Sequence, residues 1–284
     1  MQTTILHRID SVCQAAIQAK ATPGCQVLVA KDGYIVYNKA FGFNTYNKKK
    51  ENTTDNIYDI ASVTKIAATL PAVMMLYDQQ TIALDSPIAR YSYAISHSNK
   101  KDLTIRDLLL HNAGLKASFS FFSHAIDWEK MQGRLFTTKY TKTNTKKLRD
   151  RLYVNPNFKY RDSTFSFKGG NEYFMVSPHF YMHKHFQDSI HTLILDTDLL
   201  PQKKYTYSDL GFVLLKDIVE EQTVTPFDVY CRDHFLKRLG AYNSGFKAHL
   251  NLDMDRVIPS SEDNIFRKSE LKGYVHDPIA ALMG

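Results

Sequence analysis

A serine three residues ahead of a lysine can make an acyl-transfer nucleophile. On a helix, positions i and i+3 share a face with Cβ atoms about 5–6 Å apart, so the amine can reach the hydroxyl. The 284-residue chain contains this spacing four times, at Ser62, Ser98, Ser244 and Ser269, so spacing alone decides nothing. Ser98 lies in a polar run, Ser244 in a glycine-containing turn and Ser269 in a charged stretch. Ser62 follows the largely apolar segment Ile57-Tyr58-Asp59-Ile60-Ala61 and stands at the mouth of a long apolar helix expected to run to Gln80. There a serine meets unpaired N–H groups and the positive end of the helix dipole, and those groups can stabilise an oxyanion. Lys65 accepts a proton only as a neutral amine; burial and nearby positive charge would both depress its pKa. A plainer role competes: Ser62 as a helix cap, with Lys65 on the surface.

The segment Ile60-Ala61-Ser62-Val63-Thr64-Lys65 resembles the nucleophile box of the β-lactamase and penicillin-binding-protein superfamily. The branch is that of class C β-lactamases, D-alanyl-D-alanine carboxypeptidases and related esterases. The resemblance continues at Thr206-Tyr207-Ser208-Asp209-Leu210-Gly211-Phe212, where the family has Tyr-x-Asn. It implies that Tyr207 is a base or part of a proton relay. Asp209 stands in place of the usual Asn; an amide can donate a hydrogen bond, whereas an ionised carboxylate only accepts. Leu109-Leu110-His111-Asn112-Ala113-Gly114-Leu115 resembles the segment that shapes the wall of the family's site, which implicates His111 and Asn112 in substrate binding. Another Tyr-x-Asp, at Tyr160-Arg161-Asp162, has no apolar helix after it.

The resemblance covers roughly residues 5–115 and 203–284. It implies an acyl-enzyme hydrolase of a cell-wall-type peptide, an ester or a β-lactam, working outside the cytoplasm. It also implies an α+β fold: an antiparallel sheet flanked by helices, plus a helical region holding Ser62 and Tyr207. Residues 266–277 resemble a stretch that, in one branch, belongs to a serine-hydrolase module following a family-3 glycoside hydrolase, so such a domain is expected in the full-length protein. The family's third box, Lys-Thr-Gly or His-x-Gly, does not follow Tyr207 in this sequence, and a domain truncated at its C-terminus is the expectation. The alternative is a degenerate member that binds peptidoglycan or a partner and does no chemistry.

The surrounding elements must hold these residues. Apolar positions Ile5, Ile9, Val12, Ala16 and Ala19 predict an amphipathic helix, ended by Pro23 and Gly24. Two strands follow, joined by the Asp32-Gly33 hairpin signal. After Ser62, the stripe Ile66, Leu70, Val73, Met74 and Tyr77 is expected to face inward, with a kink near Pro71. A short helix is expected from Thr104, a clear one from Ser208 with the stripe Leu210, Val213, Leu214, Ile218 and Val219, and one more from Thr225 to Gly240. Residues 116–202 are rich in Phe, Tyr, Lys and His with weak periodicity, and read as an insertion or lid subdomain within a single 1–284 domain. Phe119, Phe121, Phe122 and Trp128 could form a satellite core or an aromatic lid.

Composition narrows the class. Hydrophobic residues are 44% and charged residues 23%, a globular balance. No apolar run is long enough to span a bilayer, and the start shows no basic segment followed by an apolar core. Cys13, Cys25 and Cys231 are odd in number and irregularly spaced, which speaks against a disulfide framework or zinc site. His179 and His183 have the spacing of a helical metal pair, without a third ligand; no metal or other cofactor is expected. The net charge of +7 carries no nucleic-acid motif and reads as a solvated basic surface, suited to an anionic polymer or membrane headgroups.

Overall fold

The N-terminal apolar spacing folds as helix α1 (Thr3–Leu6) and helix α2 (Arg8–Gln18), divided at His7. In this computed structural model residues 3–276, Ala280 and Ala281 are described. Helix α2 buries Cys13 and leaves Val12 exposed, so its inward face is one position away from the expected one. It packs on an antiparallel hairpin of β1 (Gly24–Lys31) and β2 (Tyr34–Gly42). Asp10 of α2 accepts from the Tyr37 hydroxyl and from Lys39 Nζ. Asp32 and Gly33 both have positive φ, as the Asp-Gly turn predicts. At the far end Gly24 pairs with Gly42, where a Cβ on Gly24 would come within 2.4 Å of the Phe43 carbonyl oxygen.

The segment carrying Ser62 is not the single kinked α-helix expected. It begins as a 3-10 turn, Ala61–Val63, widens into a π turn, Lys65–Thr69, and only then becomes α3 (Leu70–Asp78). Pro71 explains the widening: it has no N–H and its ring crowds the carbonyl four residues back. The Leu70 N–H instead reaches the Lys65 carbonyl, the five-residue step of a π turn. The face shifts accordingly. Ala68, Thr69, Ala72, Val73 and Leu76 are buried, while Ile66, Met74 and Tyr77, expected inside, are exposed.

Next come α4 (Tyr93–Ser96) and α5 (Ile105–Leu109), the latter closed by a Thr104–Asp107 capping box. Helix α6 (Phe122–Ala125) opens the stretch of unassigned periodicity. That stretch holds two three-stranded antiparallel sheets. The first orders β3 (Phe136–Thr137), β5 (Leu152–Val154) and β4 (Lys146–Arg149); the second orders β6 (Phe165–Ser166), β8 (Phe180–His183) and β7 (Tyr173–Ser177). Helix α7 (Lys184–Asp196) follows. The chain then forms α8 (Leu210–Thr223), α9 (Phe227–Cys231), a second π turn at Arg232–Leu236, and α10 (Ala248–Asn251). A hairpin of β9 (Pro259–Asp263) and β10 (Ser269–Lys272) ends the series.

The main core joins α3, α5, α7 and α8 through Val73, Leu76, Leu108, Ile190, Leu214 and Ile218. Phe121 belongs to this core, with Phe119 and Phe122 packed against it, while Trp128 is largely exposed. A separate small core of Ile126, Leu135 and Val154 sits under the first three-stranded sheet and is capped by Phe158, Tyr160 and Phe266. Ile57, just before the nucleophile segment, pairs with Val257 in a parallel bridge, and its N–H donates to the Arg256 carbonyl at 2.8 Å. Among the described residues no helix is long and apolar enough to cross a membrane.

Candidate active site

Ala61 enters the nucleophile turn with φ +45°, in the left-handed region that costs a residue with a Cβ about 1–2 kcal/mol. Its N–H donates to Asp59 Oδ1 at 2.8 Å, and Asp59 Oδ2 accepts from the His276 N–H at 3.4 Å. Ser62 follows, exposed to solvent. One turn on, Lys65 Nζ donates to Ser62 Oγ at 3.0 Å. The lysine side chain is only 15% exposed.

The opposite wall comes from the loop ahead of α8, which is sewn to residues 111–117. The Thr206 N–H donates to the His111 carbonyl (2.9 Å) and the Ser208 N–H to His111 Nδ1 (3.1 Å). The buried Ser208 hydroxyl donates to the Lys116 carbonyl (2.7 Å) and the Asp209 N–H to the Ala117 carbonyl (3.3 Å). His111 holds φ +55° at the corner of this seam. Its ring lies 4.6 Å from that of Tyr207 and 5.3 Å from that of Phe212. Because Nδ1 accepts from a backbone N–H, the ring proton of neutral His111 resides on Nε2. Burial, and then the Lys65 charge, hold the His111 pKa below the ordinary histidine value.

These seams bring the loop onto Lys65. Asp209 Oδ1 lies 2.7 Å from Lys65 Nζ, and the amine sits over the rings of Tyr207 and Phe212, 5.2 and 5.7 Å from their centroids. Burial pushes the Lys65 pKa down, but hydrogen bonding to Asp209 and Tyr207, together with their charges, outweighs it. The result lies above the ordinary lysine value. The expected depression is thereby corrected, since a carboxylate occupies the position where the resemblance implied a neutral amide. In this arrangement Lys65 Nζ is a hydrogen-bond donor to Ser62 Oγ.

Tyr207 and Asp209 lie beside Lys65, as does His111 through its contact with the Tyr207 ring. Asn112 is half-buried and gives its backbone N–H to the Asp107 carbonyl at 2.9 Å; among the described residues no side-chain hydrogen bond joins it to Ser62, Lys65 or Tyr207. Two participants were missed by sequence reasoning. Phe212 shares the helix face of Asp209 three positions on, a spacing that could have revealed it. Ser208 is buried among polar neighbours, for which the sequence holds no signal. The competing Tyr160 is sealed in the aromatic cluster and donates to the Phe266 carbonyl. His179 sits in the β7–β8 turn and His183 ends β8, so the suggested helical metal pair does not share a helix. Asp277, the last residue of the stretch 266–277 that carries part of the resemblance, lies outside the described residues.

Comparison with known proteins agrees with this geometry. Residues 9–256 match the Beta-lactamase family. The chain belongs to that family. It is similar to the N-acetylmuramyl-L-alanine amidase of Bacillus subtilis, 26% identical over 98% of this chain and 57% of the relative. It is equally similar to a putative D-alanyl-D-alanine carboxypeptidase of Salmonella paratyphi A, 26% identical over 97% of this chain and 57% of the relative. This Beta-lactamase family chain thus spans little more than half the length of these curated relatives. Among solved structures, the octameric penicillin-binding protein homologue from Pyrococcus abyssi superposes with a TM-score of 0.60 at 19% identity, covering 98% of this chain and 55% of the other. The fold is of the β-lactamase and transpeptidase kind, mixed α+β, as the resemblance implied.

Proposed function

We propose that this Beta-lactamase family chain is a serine hydrolase that forms an acyl-enzyme at Ser62 on a cell-wall-type peptide, ester or β-lactam. The observation that carries the reading is the convergence of Ser62 Oγ, Lys65 Nζ and the Tyr207–Asp209 loop, with Lys65 3.0 Å from the serine and 2.7 Å from Asp209. Nothing in packing demands it, because a half-buried amine is satisfied more simply by backbone carbonyls. In the reaction Ser62 Oγ bonds to the substrate carbonyl carbon and the bond from that carbon to the leaving group breaks; as the Tyr207 oxygen accepts the serine's proton, Tyr207 gives its own hydroxyl proton to the leaving group. Lys65 remains a cation and stabilises the developing charge on Oγ. Water then releases the acyl group. The names of the amidase and carboxypeptidase relatives support a wall-derived substrate and action outside the cytoplasm. Residues 116–202 serve in this reading as an insertion beside the cleft.

The test is covalent labelling with a fluorescent penicillin and a fluorophosphonate. The protein should label, and Ser62→Ala should lower the rate by several orders of magnitude. Labelling by neither reagent, or labelling that survives Ser62→Ala, overturns the reading. One observation favours a second reading, that of a binding module. The Asp209 carboxylate neutralises Lys65, which weakens the cation a catalyst would use. A module of that kind would retain peptidoglycan fragments equally well as Ser62→Ala and show no labelling.

A further inference from the structure

Charge is distributed very unevenly over this molecule. Between Arg134 and Arg161 nine lysines and arginines stand against a single acid, Asp150, a net charge of +8, whereas the whole chain carries +7. The rest of the protein is therefore close to neutral in sum, and the excess positive charge resides in residues 134–161, the first three-stranded sheet with its loops and flanks. All nine cations are exposed. Among the described residues the one ion pair they make is Lys147 with Asp150, at 3.7 Å.

Two buried asparagine side chains tie the loops beneath them to the backbone. Asn144, 1% exposed, donates through Nδ2 to the Arg134 and Leu135 carbonyls at 3.0 and 3.1 Å. Asn155 donates to the Gln132 carbonyl at 2.7 Å. Register defines the two sides of the sheet. Val154 is fully buried and pairs with Phe136 and Lys146, so that side faces the small core; Thr137, Tyr153 and Lys147 are matched on the outward side, while Lys146 and Arg149, opposite Val154 and Leu152, are exposed from the edge strand β4. Tyr140 is 65% exposed and stands edge-on to Tyr153, with ring centroids 6.0 Å apart. A register shift between Lys147 and Arg149 leaves Leu148 unpaired and exposed.

We propose that this sheet is a docking surface for an anionic phospholipid membrane. Charge complementarity calls for a polyanion, and the exposed apolar groups favour lipid among polyanions. Leu148 and the Tyr140–Tyr153 pair stand among the cations, where a phosphate polymer in water would leave them wet. At a bilayer the lysines and arginines meet the headgroups, while tyrosine and leucine reach the boundary with the acyl chains. The protein is thereby held at a surface without spanning it.

The test is co-sedimentation of the protein with vesicles of phosphatidylcholine alone, and of phosphatidylcholine with about a third phosphatidylglycerol. Binding should require the anionic lipid and should be lost at about 0.5 M salt. Replacing Lys146, Lys147 and Arg149 together by Gln should weaken it roughly a hundred-fold, at about five-fold per cation. Should the triple variant fail to fold by circular dichroism, Lys139→Gln with Lys142→Gln should weaken binding about twenty-five-fold on the same scale. Tyr140→Ala with Leu148→Ser should weaken binding while preserving its salt dependence. Absence of binding to the anionic vesicles overturns the proposal. So does a folded charge variant that binds as well as the native protein. Binding to soluble polyphosphate or DNA as tightly as to vesicles, with no loss in the Tyr140–Leu148 variant, also overturns it and assigns the sheet to a polymer.

Discussion

Lys65 stands at the centre of the proposed site, and its partners were only half legible in the sequence. Ser62 and Lys65 were readable from their place between an apolar segment and an apolar helix, and Tyr207 through the family resemblance. Asp209 was visible as a departure, but a string of letters does not show that its carboxylate reaches the lysine. With Asp209 present, Lys65 is held above its ordinary value against the pull of burial. In Asp209→Asn the carboxylate is gone, burial dominates, and the lysine pKa falls. Since Lys65 works as a cation in the proposed reaction, its charge is lost at lower pH in the variant. Fluorophosphonate labelling, followed from about pH 6 to 10, should therefore hold to the alkaline end in the native protein, whose Lys65 loses its charge above that window, and decline within it in the variant. Faster labelling of the variant at neutral pH would instead identify the free amine as the base.

At the scale of elements, the tight turns and the strong helices could be read, and the phase of the helices could not. Asp32 and Gly33 dictate their hairpin locally. Helix α8 carries apolar residues over most of its length, so its existence was evident. The inward face after Ser62 was misjudged because Pro71 inserts a π turn, and that slips the stripe from Ile66 and Met74 to Ala68, Ala72 and Leu76. Helix α7 escaped notice because only Phe186, Ile190 and Ile194 mark its buried side. It packs with α8 through His191 Nδ1, 3.2 Å from Asp217 Oδ2. The hydrogen bond to Asp217 raises the His191 pKa, against the opposing effect of burial. A base whose folded pKa exceeds its unfolded value stabilises fully below the unfolded value, near 6.5, and loses that contribution as pH rises through the folded value. Thermal melts between about pH 5.5 and 8.5 should show the native protein losing about 0.2–1 kcal/mol more than His191→Gln over that range.

The whole molecule divides its apolar interior unequally. The large core is drawn from helices far apart in sequence, whereas Ile126, Leu135 and Val154 form a three-residue island. Small cores open first. Native-state hydrogen exchange should find β3, β4 and β5 opening at lower free energy than α3 and α8. Leu135→Ala, a loss of about 2–4 kcal/mol locally, should strip protection from that sheet and leave α8 unchanged; equal loss in both would show one cooperative unit. The island was illegible beforehand because its three members are scattered among lysines and threonines. Only the pairing of short strands assembles them.

The bridge between Ile57 and Val257 also has a meaning in time. The nucleophile's approach is pinned by partners about 200 residues later, through Asn56 and Asp55 to Arg256 and through Asp59 to His276. A ribosome adding about 5–20 residues per second needs roughly 10–40 s to deliver them. During that interval the nascent chain carries its serine and lysine without the braces that aim them. The turn that carries Ser62 is thus braced only once Arg256 and His276 have been made.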